Sequence, residues 1–400
     1  MRHAILVGLF TQLVLLLLMG CTTTSAVIPD AVASQNPTPV VQFEQLPINK
    51  ALLNEEVLDK PPSVRDIFQL TEQQEQEFLH YYFDENRSDL APDRRLASFI
   101  ERRYADFHYY GTTLKASESL QGQAGNCMSL ATLTTAYARL VGLEVRYQLV
   151  YSVPIYELLE DTLYVSSHVR TQVVSPPNRN PETGVVQFSN STIDYFPGSL
   201  RSRGSWIAES LFISMFYQNV AAEYLKQGDE QNAFLYAMEA LRIAPENAAA
   251  INIMAVLHRR KQDEHTAEKL YRHILEYNPV NLNAMINYRE MLRSQGRLAD
   301  AAALHEAIAR IDDPNPYEWI YLADEAIRQN SLVRAERYLQ RAQHYAPYLD
   351  EIYYRQAQID YLRGHFASAQ RRLLTAHHYA RSSDRRGLYK AKLGSLHASD

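Results

Sequence analysis

The chain has 400 residues, 46% of them apolar and 22% charged, with a formal net charge of −6. That length fits two or three domains with real cores, and 14 glycines with 17 prolines exclude a collagen-like or wholly disordered chain. Two cysteines exclude a disulfide scaffold and any four-cysteine metal site, and the mild acidity leaves no basic footprint for nucleic acid.

The first element is an address. Arg2 and His3 precede two apolar stretches, Ala4 to Phe10 and Leu13 to Met19, the basic start and apolar middle of an export signal over residues 1–20. It ends in Leu18-Met19-Gly20-Cys21, which resembles the lipobox of bacterial lipoproteins. The resemblance implies cleavage before Cys21, lipidation of that residue and anchoring to a membrane of the bacterial cell envelope. Thr22 follows the cysteine where Asp would mark retention. That is similar to outer-membrane sorting, to the inner leaflet facing the periplasm. Several acyl chains on one residue anchor stably, at roughly 0.8 kcal/mol per buried CH₂. Residues 21–62 are rich in Thr, Ser, Ala, Gln and Pro, which predicts a flexible tether. Past the N-terminus no apolar run is long enough to span a membrane.

Residues 63–205 are the next expected domain. Cys127 is the only cysteine after Cys21, so it has no disulfide partner in an exported compartment. Leu130, Leu133, Ala136, Tyr137, Leu140 and Val141 recur at helical spacing, with Gly125 and Asn126 on the loop side and Gly142 as a stop. Cys127 therefore falls in the first helical turn, where unsatisfied amides and the helix dipole favour a thiolate. Three strands follow: Glu144 to Ser152, Thr162 to Val174 carrying His168, and Val185 to Asp194 after a loop from Pro176 to Gly184. Pairing the last two as a hairpin centred near residue 180 sets His168 opposite residue 192, with Asp194 one diagonal step away.

A thiol at a helix start, an imidazole on a strand and a carboxylate on the next strand form the layout of a cysteine nucleophile. The histidine takes the thiol proton and returns it to the leaving group, while the carboxylate fixes its tautomer. Gln121, six residues before the cysteine, is a candidate amide donor to an oxyanion beside the Cys127 backbone N–H. Each residue also has a structural alternative. Cys127 can be a small buried hydrophobe, His168 a satisfied sheet histidine, and Asp194 a turn cap.

Gly125-Asn126-Cys127, Ser167-His168-Val169 and Ile193-Asp194-Tyr195-Phe196-Pro197 together resemble the transglutaminase-like superfamily of papain-type fold, over about Asp66 to Ser205. The resemblance implies an α+β domain with Cys127 as nucleophile, His168 as general base and acid, and Asp194 as the orienting acid. It also implies chemistry on protein or peptide amide bonds: proteolysis, deamidation or crosslinking, according to the acyl acceptor. The family often has a small residue and then Trp after the histidine, where this chain has Val169 and Arg170. It often has Pro soon after the aspartate, where Pro197 comes three residues later.

The last region, 206–400, is periodic. Ala233, Ala267, Ala301, Ala335 and Ala369 recur every 34 residues. Ala221, Ala255, Ala323 and Ala357 precede them on the same frame. Ala240, Ile274, Ile308, Ala342 and Ala376 follow, then Pro245, Pro279 and Pro347, with Pro314 one residue out of step. Small residues let two antiparallel helices approach closely, and proline stops the second. Gly296 and Gly364 sit at the turn between paired helices, and Arg289 occupies a small-residue position of the third repeat. The pattern resembles the tetratricopeptide repeat, in five copies over about 214–383 with a C-terminal capping helix. The expected architecture is thus an α+β transglutaminase-like domain followed by an all-α solenoid.

That resemblance implies a concave groove for a peptide or partner protein. Its inward positions include Asn252, Arg259, Arg260, Arg293, Tyr317, Arg328, Tyr354 and Tyr361. Guanidinium and phenol groups there suit an extended, carboxylate-bearing segment; the alternative is a set of solvated helix faces. No His-Glu-x-x-His helix, Cys-x-x-Cys pair, nucleophile elbow or phosphate loop occurs, so neither metal nor cofactor is expected. Two functions stay open at this point. One is an anchored, periplasm-facing cysteine-dependent enzyme that binds substrate or partner through its repeats. The other is a non-catalytic scaffold lipoprotein that mediates protein–protein interaction.

Overall fold

The computed structural model describes residues 42–53, 60–103, 107–109, 112–159, 162–179, 182–195, 204–311, 316–380 and 382–397. The export signal, Cys21, the first part of the tether, Pro197 and Pro314 lie outside the described residues.

Part of the expected tether is docked rather than free. Leu46 is buried in the core, with Phe43, Ile48, Leu52 and Leu53 packed around it. The Asn49 backbone N–H donates to His258 Nε2 (3.0 Å), and its side-chain amide donates to Asp263 Oδ2 (3.1 Å). Gln231 donates to the Leu52 carbonyl at 3.1 Å, and the Tyr217 hydroxyl to the Pro62 carbonyl at 2.5 Å. The polar composition of 21–62 hid a handful of spaced apolar residues that a neighbouring helical surface covers.

The helices before the cysteine are short and capped by their own sequence. Helix α1 (Val64–Phe68) and helix α2 (Glu72–Tyr82) begin with reciprocal capping boxes at Ser63/Asp66 and Thr71/Gln74. Helix α3 (Pro92–Arg103) follows. Its Asp93 is fully buried in the first turn. The Ser175 hydroxyl (2.5 Å) and the Ser191 hydroxyl (2.6 Å) donate to its two oxygens. Burial opposes that charge, but the serine hydrogen bonds outweigh it and hold the carboxyl below its usual range. Strand β1 (His108–Tyr109) and strand β2 (Ala124–Gly125) pair in parallel on either side of helix α4 (Ala116–Gly122). Helix α5 (Cys127–Leu140) then packs Tyr137 into a cluster with Phe78 (4.5 Å) and Phe99 (5.1 Å).

A four-stranded antiparallel sheet carries the rest of this domain, in the order β7-β4-β3-β8. Its members are strand β3 (Glu144–Leu159), strand β4 (Thr162–Val174), strand β7 (Asn190–Ile193) and strand β8 (Gly204–Ile207). Strand β3 runs seven residues past the expected Ser152, and its register against β4 shifts between Val150 and Ile155. The expected strand 185–194 is divided. Strand β5 (Asn178–Arg179), in the expected loop, and strand β6 (Val186–Gln187), at the start of the expected strand, make a small hairpin before β7 begins. The β4–β7 register pairs Thr171 with Ile193, so the hairpin centres near residue 182 rather than 180. Continuing that register sets Asp194 level with Arg170, still diagonal to His168.

The helical array is five antiparallel pairs and a cap. The pairs are helix α6 (Glu209–Lys226) with helix α7 (Glu230–Ile243), and helix α8 (Ala248–Arg260) with helix α9 (Glu264–Tyr277). Next come helix α10 (Leu282–Ser294) with helix α11 (Leu298–Ala309), and helix α12 (Pro316–Arg328) with helix α13 (Leu332–Tyr345). Helix α14 (Asp350–Leu362) with helix α15 (Phe366–Tyr379) completes the five, and helix α16 (Ser383–His397) is the cap. All five periodic alanines are buried. The turn inside each pair uses a positive φ at Gly228 (80°), Gln262 (63°), Gly296 (72°), Asn330 (55°) and Gly364 (79°). The sequence frame marked this position only at Gly296 and Gly364, two of the three glycines that occupy it. The backbone requires it in all five repeats, and Gln262 and Asn330 adopt it despite their Cβ.

One continuous apolar core runs from Leu46 through α2, α3 and α5 into the first three repeats. At its centre Tyr147 of β3 stacks on the fully buried Phe212 of α6, with ring centroids 4.0 Å apart.

Candidate active site

The position of Cys127 is set by what precedes it. Gly125 has φ +141°, and a Cβ there would come within 2.6 Å of Ser129 Cβ, so glycine is required. Asn126 caps α5. Its Oδ1 accepts the Ser129 N–H (3.0 Å), and Ser129 Oγ in return accepts the Asn126 N–H (3.3 Å). The Ser129 hydroxyl also accepts the Leu114 N–H at 2.8 Å, and Asn126 Nδ2 donates to Thr113 Oγ1 at 2.8 Å. Both contacts tie the helix start to the loop 112–115. Cys127 is the first helical residue, partly exposed, at the positive end of the helix dipole.

His168 projects from β4, and its Nε2 lies 2.7 Å from Asp194 Oδ1. The two side chains are 11% and 4% exposed. The imidazole also hydrogen-bonds the Cys127 thiol. Nε2 faces the carboxylate, which leaves Nδ1 for the sulfur. Burial alone would lower the imidazole pKa. The Asp194 hydrogen bond, then the Cys127 hydrogen bond and charge, outweigh it and raise the value to about 9. The structure therefore brings Cys127, His168 and Asp194 together in the order thiol, imidazole, carboxylate.

Arg170 is part of the same cluster. Its Nη1 lies 3.7 Å from Asp194 Oδ2, and its Nε donates to Gln148 Oε1 at 2.7 Å. Gln148 in turn donates to the Gly204 carbonyl at 3.1 Å. In the sequence Arg170 stood out only as a departure from the family pattern. Its place two residues after the histidine, on the strand beside the aspartate's, was the available signal. Beneath the cluster the Tyr195 hydroxyl donates to Thr134 Oγ1 (2.7 Å) and lies 2.7 Å from Thr171 Oγ1, joining α5 to β4 next to Asp194.

Gln121 is not drawn into this group. It is exposed in the last turn of α4. The polar loop supplied the residue type but not the direction.

The groove residues divide. Asn252 and Arg259 face the α+β domain instead of open solvent. Asn252 is buried and accepts from Asn287 at 3.2 Å, and Asn287 itself accepts the Leu163 backbone N–H at 3.1 Å. Arg259 donates to Thr162 Oγ1 at 3.3 Å. Tyr317 packs on the apolar cluster that encloses Leu163. Arg293 donates to the Tyr321 hydroxyl at 3.3 Å, and Tyr354 packs against Tyr389 of the capping helix, 5.4 Å between centroids. Arg328 and Tyr361 are exposed. Asn287 was absent from the expected set, although it lies 35 residues from Asn252, one repeat further along the same inner surface.

Two family models match separate stretches of the chain. The family model of the transglutaminase-like superfamily matches residues 84–179, and that of the TT21 fifth ARM repeats domain matches residues 246–323. No curated protein matches the chain. Among solved structures it is similar to one described as a functional characterization of Pseudomonas aeruginosa pilF, at 19% identity over 48% of this chain and 85% of that one, TM-score 0.37. It is similar to PilW, described as a widely conserved type IV pilus biogenesis factor, at 20% identity over 46% and 86% of the two chains, TM-score 0.35. It is also similar to a thermophilic tetratricopeptide repeat protein of Thermus thermophilus, at 16% identity over 45% and 98%, TM-score 0.36. The chain carries a transglutaminase-like domain ahead of a helical array of tetratricopeptide type.

Proposed function

We propose that the transglutaminase-like domain is a working cysteine acyltransferase on protein or peptide amide bonds, in a lipoprotein anchored through Cys21 and facing the periplasm. The observation that carries this reading is the contact order of the three side chains, with Nε2 of His168 on Asp194 and the thiol of Cys127 on the other side of the ring. Cys127 is the nucleophile, His168 the general base and acid, and Asp194 the orienting acid. The thiolate attacks the amide carbonyl carbon, and the backbone N–H of Cys127 faces the developing oxyanion. The imidazolium gives its proton to the leaving amine as the C–N bond breaks, which leaves a thioester. Imidazole then takes a proton from water or an amine as that acceptor attacks the thioester carbonyl. The sulfur leaves and regains its proton. Water as acceptor gives hydrolysis or deamidation, and an amine gives a crosslink. The repeat array would serve protein–protein interaction.

The raised imidazole pKa fixes the pH dependence. A histidine held above its ordinary value of about 6.5 contributes its full stabilisation below that pH and loses it as pH rises through about 9. Acyl transfer should therefore decline above about pH 9, when no imidazolium remains to protonate the leaving group. The test is the rate of thiol alkylation of the mature protein against pH. With an active pair, Cys127 reacts well at about pH 6, and a His168→Ala variant reacts only near an ordinary thiol pKa of about 8.5. Superimposable profiles would refute catalysis and leave the scaffold reading.

A further inference from the structure

The two halves of the catalytic pair are each held from outside their own domain, by different repeats. On the cysteine side the holder is Glu223, in helix α6 of the first repeat. Its Oε1 accepts the Thr113 N–H at 2.8 Å. Thr113 Oγ1 accepts from Asn126 Nδ2, the cap of the helix that presents Cys127, and itself hydrogen-bonds Glu223. A hydroxyl can donate once while accepting, so the relay from Asn126 through Thr113 to Glu223 is chemically complete.

On the histidine side the holder is the inner surface of repeats 2 and 3. The first residues of β4, Thr162 and Leu163, lie against the inner surface of the solenoid. The Leu163 side chain is buried among Met285, Ile286 and Ile308. Its backbone N–H is taken by the fully buried Asn287, and Thr162 by Arg259. Leu163 and His168 are five residues apart on one strand. Strand β3 pairs with β4 on both sides of a register shift between Val150 and Ile155, opposite the stretch from His168 to Ser166. The repeats add a second anchor at the start of β4, beyond that irregular stretch.

We propose that the first three repeats are a positioning frame for the catalytic pair, with Glu223 and Asn287 as its positioning residues. The inference rests on the catalytic reading above. Repeat 1 sets the thiol, repeat 3 sets the imidazole, and the spacing between those repeats sets the distance from sulfur to ring. The inner surface at repeats 2 and 3 is accordingly filled by the chain's own strand β4, and external partners would meet the array elsewhere.

The test is the alkylation profile of full-length mature protein from about pH 5 to about pH 9, for the wild type and the variants His168→Ala, Glu223→Ala, Glu223→Gln, Asn287→Ala and Arg355→Ala. Arg355 pairs with Asp324 at 2.9 Å within repeats 4 and 5 and controls for a general loss of stability. Glu223→Ala and Asn287→Ala should lose about tenfold in rate at pH 6, equivalent to one unit of thiol pKa. Glu223→Gln keeps an acceptor for Thr113 and should retain the wild-type profile, as should Arg355→Ala. If Asn287→Ala does not fold, Arg259→Ala reads the same strand from the rim, and an unshifted profile there overturns the frame. Wild-type profiles for Glu223→Ala and Asn287→Ala would overturn it while leaving catalysis standing. A wild type no faster at pH 6 than His168→Ala would remove the catalytic pair and the frame with it.

Discussion

Repeats 1 to 3 and repeats 4 and 5 follow one 34-residue pattern but occupy different surroundings. The first three share their core with the transglutaminase-like domain: Phe212, Ala233, Ile251, Leu270 and Met291 belong to the same apolar cluster as Phe78 and Tyr137. The last two have clusters of their own, one around Leu339 and Ile352 and one around Leu373 and Tyr389. Repeats 4 and 5 also expose Val333, Tyr361, Leu362, Phe366 and Leu374, while the inner surface of repeats 2 and 3 is filled by Thr162 and Leu163 of β4, with Tyr317 of repeat 4 at its edge. The same local code thus builds a clamp where a second domain lies against it and a stack with cores of its own beyond that contact. A repeat specifies how its helices pair, and its neighbours decide what that pair is for.

The largest effect that would test this contrast lies in the shared core. Phe212→Ala removes a fully buried ring stacked on Tyr147, so a loss of about 3–5 kcal/mol is expected. Thermal melting should show both domains losing stability together. Leu373→Ala in the last repeat should cost nearer the low end of about 2–5 kcal/mol. Its loss should be confined to repeats 4 and 5, with no change in alkylation of Cys127. Hydrogen exchange resolves the two cases, and a Leu373→Ala change that spreads to β4 would erase the distinction.

The second effect sharpens the clasp between repeat 1 and the active-site loop. Burial pushes the Glu223 carboxyl up to about 7, against the Thr113 hydrogen bonds and the charge of Lys226. Lys115, Glu118, Asp66 and Lys60 line the cleft beside Thr113. An acid with a raised folded pKa binds its proton more tightly in the native state, so stability should fall as pH climbs from about 4.5 to about 7. Glu223→Gln should flatten that slope. Denaturant melts across the interval measure it, and an unchanged slope would place the titration elsewhere.

The smallest effect concerns what all five repeats have in common. Gln262→Gly relieves a left-handed backbone that costs a residue with a Cβ about 1 kcal/mol or slightly more, less the extra chain entropy of glycine. A gain of roughly 0.5 kcal/mol is expected. Gly364→Ala, in the last repeat, should lose a similar amount. Equal and opposite shifts in melts would show that the turn is governed locally in either half of the array.

The start of α5 was legible because it is a local event. Gly125, Asn126 and Ser129 lie within five residues, and the cap they form needs nothing from the rest of the chain. The carboxylate was harder. Antiparallel pairing placed Asp194 diagonal to His168 with a hairpin centre two residues early, because the small β5–β6 hairpin takes up part of the expected loop and the start of the expected strand. Arg170 and Gln148 were not legible as partners, since their pairing depends on the β3–β4 register and on the approach of β8 through Gly204. Gln121 shows the opposite case, where a suitable amide close in sequence points into solvent.

Periodicity, capping residues and small-residue spacing by themselves determined the helix that presents Cys127, the strand that carries His168 and the repeat count, because each is decided within one or two turns of chain. Only the tertiary structure decided that the polar segment at 42–53 docks, that Arg170 stands beside Asp194, and that Glu223 and Asn287 reach from the repeats to Thr113 and Leu163. Apart from the Arg170 pairing, those contacts join residues some 110 to 210 positions apart. Hydrogen bonds and burial at that range depend on how whole elements lie against each other, and no local pattern records that arrangement.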